Sequence, residues 1–163
     1  MLCRAALIAA LIFPLPAWAL SCPPASFDSD FRRTQASDDL YLIARGTLMF
    51  DVRSVPRHDP DRAGNPPAST DIKAFFKGSS LSRRGFHPGL RVPVTLRLRC
   101  RGHRCATPLS GIRYLAFLKR EGDDYVITAS PCPGMLYPEP TPDLLETAQR
   151  CMAGGPCEPP HRD

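Results

Sequence analysis

The chain has 163 residues, 43% of them hydrophobic, and a formal net charge of +5. That length suits one domain rather than several, and so modest a charge describes a mixed-sign surface, enough for weak attraction to anionic surfaces but no signature of a nucleic-acid binder. After the N-terminus no segment approaches the roughly 20 consecutive apolar residues needed to cross a bilayer.

The first nineteen residues carry the three parts of an export signal in order. Arg4 supplies the positive charge, Ala5 to Phe13 is an uninterrupted apolar run, and Ala17-Trp18-Ala19 follows Pro14 and Pro16 as a small-x-small cleavage site. The sequence therefore predicts a signal peptide over 1–19 and a single periplasmic or secreted domain over 20–163. Loss of Arg4 with the signal lowers the net charge by one. A second reading treats Ala19-Leu20-Ser21-Cys22 as a lipoprotein processing site with a lipid on Cys22, although Ala19 stands where Leu is usual.

Phe27 and Phe31, at i, i+4 spacing, predict a short N-terminal helix with both rings facing the core. Asp39 to Val52 reads as a long strand with a bulge or tight bend at Gly46. Arg53 to Ser69, with four prolines, is a loop. Thr70 to Lys77 predicts a strand that Gly78-Ser79-Ser80 ends, and Leu81 to Leu90 is irregular. In Val92 to Cys100, Val92, Val94, Leu96 and Leu98 alternate with Pro93, Thr95, Arg97 and Arg99, the period-2 pattern of a half-buried strand. Pro93 places the start of that strand at an edge. Arg113 to Arg120 and Tyr125 to Cys132 predict a hairpin turned by Glu121-Gly122-Asp123-Asp124. Thr141 caps a C-terminal helix that has Pro142 at its first position and Gly154-Gly155 at its end. The sum is a mostly β domain, read as a five-stranded OB-like barrel with a C-terminal helix and a short N-terminal one. A sandwich is the alternative.

Seven cysteines are present, and Cys3 leaves with the signal. Six in an exported chain read as a disulfide set with fifteen pairings, among which sequence alone does not choose. The preferred set closes two short loops, Cys100 with Cys105 and Cys151 with Cys157, and leaves Cys22 to Cys132. Cys100, His103 and Cys105 also form a zinc-like cluster, but lack paired Cys-x-x-Cys spacing. No metal and no cofactor are expected, and Cys-x-x-Cys-His for haem is absent.

Several segments together carry a resemblance: an early Cys22, LYLIARGTL, a strand ending FFKG, an alternating strand reaching Cys100, GIRYLAFL from Gly111, a strand ending at Cys132 and a helix ending at Cys151. Over roughly Cys22 to Cys151 the chain resembles small exported bacterial proteins of unknown function. More distantly it is similar to the netrin-like modules of tissue inhibitors of metalloproteinases. The resemblance implies a five-stranded OB barrel with flanking helices and disulfides. Those inhibitors use an N-terminal Cys-x-Cys whose free amine meets the protease zinc. Here Cys22 is followed by Pro23-Pro24, and two residues precede it after cleavage, so that role does not carry over.

No nucleophile elbow, phosphate loop, His-Glu-x-x-His or dinucleotide fingerprint occurs, and no catalytic residue is assigned. The expected role is a non-enzymatic binding or inhibitor-like module with a protein partner. The alternative is an anionic envelope glycan or lipid surface, met by Arg97, Arg99, Arg101 and Arg104 with His103. Nucleic acid is not expected, since no aromatic residues interleave with those arginines.

Overall fold

A computed structural model describes Cys22, Pro24, residues 26–56 and residues 66–157. The signal-peptide reading and most of the Arg53–Ser69 loop lie outside the described residues. Helix α1 spans Phe27–Gln35, and α2 spans Pro142–Met152. Between them run β1 (Tyr41–Phe50), β2 (Ser69–Ser82), β3 (Gly85–Arg101), β4 (Arg104–Cys105), β5 (Arg113–Glu121), β6 (Asp124–Ala129) and β7 (Leu136–Pro138).

The five longer strands close a ring. β1 pairs with β2, β2 with β3, β3 with β6, β6 with β5, and β5 returns to β1. Every pair is antiparallel except β3–β6. β7 adds to β5 beyond the end of β6, and β4 folds back on the tip of β3.

Ring closure loads β1 with two partners at once. Residues 44–47 pair with β2 on one side and with β5 on the other. At this point Gly46 meets Gly78, and a Cβ on Gly46 would lie 2.3 Å from the Lys77 carbonyl oxygen. No other residue fits there. The sequence expects a bulge or bend at Gly46. The β1 register instead runs through it without a break, and the register shift falls in the β2–β3 pairing opposite Gly78 and Ser79, where Gly89 of β3 is the extra residue.

Gly78-Ser79-Ser80 does not end β2, and Leu81 to Leu90 is not irregular. β2 and β3 continue as one hairpin to Ser82 and Gly85, where Gly85 has φ +105°. Burial of Leu81 beneath the helices holds this extension in place. Pro93 is not a strand start but lies well inside β3. Its missing N–H is tolerated because β6 joins β3 only from Val94 onward. The hairpin β5–β6 turns at Gly122, which has φ +63°, with Glu121 opposite Asp124.

Alternation divides the core in two. Leu48, Phe76, Leu96, Leu118 and Ile127 fill the inside of the ring. Phe27, Ile43, Leu81, Leu115, Phe117 and Ala148 form a second cluster between the helices and one part of the outer surface. β5 serves both clusters, so Tyr114 to Leu118 are buried without a polar interruption. Both helices start on side-chain caps. Ser26 Oγ accepts from the Ser29 amide and Thr141 Oγ1 from the Leu144 amide. Phe27 stacks on Phe31, with ring centroids 5.9 Å apart, and Phe27 also touches Phe117.

α1 is fastened by polar contacts as well. Asp30, buried, accepts from the Met135 amide and from the Tyr137 hydroxyl, each at 2.6 Å, and pairs with Arg33. The Cys22–Cys132 disulfide ties the segment before α1 to the stretch after β6. Cys100–Cys105 closes the β3–β4 turn, and Cys151–Cys157 closes the end of α2.

In the chain-entropy model the bridge of sequence separation 110 should stabilise by about 4–5 kcal/mol and the one of separation 5 by about 2 kcal/mol. Denaturant titration of the Cys22→Ser/Cys132→Ser and Cys100→Ser/Cys105→Ser variants should return that ordering. Burial, and then the hydrogen bond to Asp30, raise the Tyr137 hydroxyl well above its ordinary 10.0. The neutral phenol is therefore held more firmly in the folded state than in the unfolded one. Its contribution is complete below pH 10.0 and declines as pH rises toward the folded value. Tyr137→Phe should flatten the alkaline loss of stability and cost about 1–3 kcal/mol at neutral pH, because Asp30 loses a buried partner; thermal melts across alkaline pH check both.

Candidate anion-binding face

The arginine cluster of the sequence does not form one free patch. Arg97 is committed. Its guanidinium donates to both Asp71 oxygens at 2.9 Å and to Glu121 at 2.9 and 3.3 Å. Lys119 reaches Asp39 at 2.9 Å and Glu121 at 3.7 Å, which extends the network. This end of the outer surface carries its own counter-ions, with three carboxylates set against the two cations. Arg99, Arg101 and Arg104 are exposed further along, on the β3–β4 tip, where Arg101 and Arg104 stand opposite each other. The zinc reading of Cys100, His103 and Cys105 fails at this tip, because the disulfide consumes both sulfurs.

A different set of cations gathers where the ring closes. Register places Arg113 of β5 beside Thr47 of β1, Thr47 beside Lys77 of β2, and Lys77 beside Arg91 of β3. Directly paired residues share a face, with Cβ atoms about 4.5–5.5 Å apart. Arg113, Thr47, Lys77 and Arg91 therefore form one row across four strands on the outside of the ring. Arg113, Lys77 and Arg91 are exposed, and among the described residues no carboxylate pairs with any of them. Like charges directly opposite, as Lys77 and Arg91 are, destabilise a sheet.

The next row is apolar. Met49, Phe75 and Pro93 lie side by side on β1, β2 and β3, and Met49 and Phe75 are 39% and 37% exposed. Lys73 follows Phe75 on the same face of β2. The helices cover the other part of this surface, and among the described residues none covers the stripe or the cation row.

Beside the row is a cleft of about 570 Å³, bordered by Arg45, Thr47, Lys77, Ser79, Arg113 and Glu139 together with the Gly46–Gly78 contact and the start of α2. The Arg45 guanidinium rests over the Phe86 ring, 4.6 Å from its centroid, which fixes its plane and leaves its N–H edge to donate. The Glu139 amide donates to the Arg113 carbonyl at 2.8 Å. That bond holds the β7–α2 connection against the cleft.

Two other places invite a chemical reading. Ser82 Oγ lies 2.7 Å from His87 Nε2 in the β2–β3 turn. The same hydroxyl accepts from the Arg84 amide and donates to the Gly85 carbonyl, so it organises the turn. Among the described residues no carboxylate orients His87, as a nucleophile–base pair would require. A second cleft, of about 720 Å³, is walled mostly by prolines and apolar groups near Cys105 and Cys132. Tyr114 borders it while exchanging hydrogen bonds with the Leu109 amide and carbonyl. Among the described residues no group of three or more His, Cys, Asp or Glu is placed to hold a metal ion, and no helix is long and apolar enough to cross a membrane.

The sequence reading missed Thr47, Lys77, Arg91 and Arg113 because only register brings them together. One signal was present. In TDIKAFFK the residues Ile72, Ala74 and Phe76 alternate with Lys73, Phe75 and Lys77, an aromatic ring between two cations on one face. No family model, curated protein or solved structure matches the chain.

Arg97 holds the Asp71 carboxyl below its ordinary 3.8, chiefly by hydrogen bonding. The pair's contribution is present above pH 3.8 and fades as pH falls through the lowered value. In Arg97→Gln, carboxyl NMR should find Asp71 titrating closer to 3.8, and stability should fall by about 1 kcal/mol at most, since the pair is partly exposed.

Proposed function

We propose that this protein is an exported, non-enzymatic binding module built on an OB-like barrel, and that its ligand is an anionic glycan of the cell envelope. The ring order β1-β2-β3-β6-β5, closed on β1 with a single parallel pair, supports the barrel reading. Three disulfides support an oxidising compartment, periplasmic or extracellular. The Cys22–Cys132 bridge uses the same sulfur that a lipid thioether on Cys22 would need, which favours a protein without that anchor.

One observation carries the ligand assignment: a cation row without a carboxylate partner among the described residues adjoins an exposed Met49–Phe75–Pro93 stripe on the outer surface. A sugar ring offers a weakly polar face that stacks on such a stripe, while its charged substituents meet Lys73, Lys77 and Arg91. OB barrels commonly bind oligosaccharides on an exposed sheet face. Glycan binding thus replaces a protein partner as the leading reading, and the cations assigned to it are Lys73, Lys77 and Arg91 rather than Arg97, whose guanidinium is committed to Asp71 and Glu121.

The test is retention on immobilised acidic polysaccharides across a salt gradient. Wild type should be retained and released as salt rises, in keeping with screening of exposed charges. Lys77→Gln/Arg91→Gln should elute earlier, and Arg97→Gln should elute with wild type. Passage of wild type through every acidic matrix unretained would withdraw the glycan reading and return the open face to a protein partner.

A further inference from the structure

The cleft at the end of the cation row is more selective than the open face. Its border brings Arg45, Lys77 and Arg113 from three strands to face one carboxylate, Glu139. The local excess is therefore two positive charges. A sugar carboxylate or sulfate monoester brings one negative charge and leaves the cleft half compensated. A phosphomonoester carries about −1.5 to −2 near neutral pH and balances it. Two guanidinium groups also suit phosphate, whose oxygens take paired N–H donors.

The size of the cleft points the same way. At about 570 Å³ it far exceeds a lone phosphate and falls among sites that enclose a small organic molecule. Thr47 and Ser79 offer hydroxyls, and Glu139 offers an acceptor for ligand hydroxyl groups. Lys77 and Arg91, adjacent and without ion-pair partners among the described residues, are a standing repulsion that a bound dianion would relieve.

We propose that this cleft binds a phosphorylated sugar, with the phosphate held by Arg45, Lys77 and Arg113 and the sugar hydroxyls directed to Glu139, Thr47 and Ser79. The inference rests on the glycan reading of the open face and names the group that face is built to take. The sugar phosphate has two sources, a free solute or the head of a glycolipid.

The disulfide-bonded, isotope-labelled protein is titrated with glucose 1-phosphate, inorganic phosphate, glucose and glucuronate, and amide shifts are followed by NMR. Glucose 1-phosphate should saturate a site centred on the amides of Arg45, Thr47, Lys77 and Arg113, with at least about tenfold higher affinity than the other three. Arg113→Gln and Lys77→Gln should each weaken it about tenfold or more. Arg101→Gln, on the β3–β4 tip, should leave it unchanged. Flotation with phosphatidylcholine vesicles carrying a phosphorylated-glucosamine glycolipid separates the sources: co-flotation indicates the lipid head, and its absence alongside tight soluble binding indicates the free sugar phosphate. Glucuronate binding as tightly as glucose 1-phosphate would overturn the phosphate assignment while leaving the glycan reading intact. Weak, unsaturable shifts from every small ligand, or shifts centred on residues 99–104, would overturn the site. Loss of retention on acidic polysaccharides besides would remove the glycan reading as well.

Discussion

Everything in this molecule depends on β1 pairing along both edges at once. Residues 44–47 hydrogen-bond toward β2 and β5 together, and that double pairing turns an open sheet into a ring. The approach is so close that Gly46 and Gly78 each leave no room for a Cβ. Once the ring is closed, Leu48, Phe76, Leu96, Leu118 and Ile127 have an enclosed interior to fill. The same closure sets Arg113 two strands away from Lys77, on either side of Thr47, and so creates the charged row.

Two surfaces then follow from one ring. On one part of the outside, Ile43, Leu81, Leu115 and Phe117 are apolar and receive α1 and α2. Asp30 and the Cys22–Cys132 bridge fasten that cover from two directions. On the other part, Met49, Phe75 and Pro93 are exposed among cations. Arg97 has Asp71 and Glu121 as counter-ions, and Lys119 has Asp39. Arg113, Lys77 and Arg91 have no such provision among the described residues, and their place in one row beside the Met49–Phe75–Pro93 stripe is the physical basis for assigning them to a ligand.

Much of the fold was legible in the sequence because it is written locally. The β3 alternation, the Gly122 turn and the Thr141-Pro142 start of α2 are each decided by neighbouring residues, and each stands in the structure. The β2–β3 extension was not legible. Gly78, Ser79 and Ser80 carry the composition of a strand end, yet Leu81 is held under helices that begin far away in the chain. β4 and β7, two and three residues long, are too short to show a period. The charged face failed to show for the converse reason. Arg97, Arg99, Arg101 and Arg104 are close in sequence and look like a patch, while the acids that neutralise Arg97 lie 26 and 24 residues away. The row beside the apolar stripe draws on residues 47, 77, 91 and 113, whose adjacency exists only in the register.

Residue-resolved amide hydrogen exchange under native conditions tests the ring most directly. Flanked on both sides, the amides of Ala44, Arg45, Gly46 and Thr47 should exchange only through global unfolding, as slowly as those of Leu96 and Leu118 in the interior-facing strands. Fast local exchange at Gly46 and Thr47, with β5 and β2 still protected, would mean that β1 does not bridge them. The ring, the cation row and the cleft would then fall together.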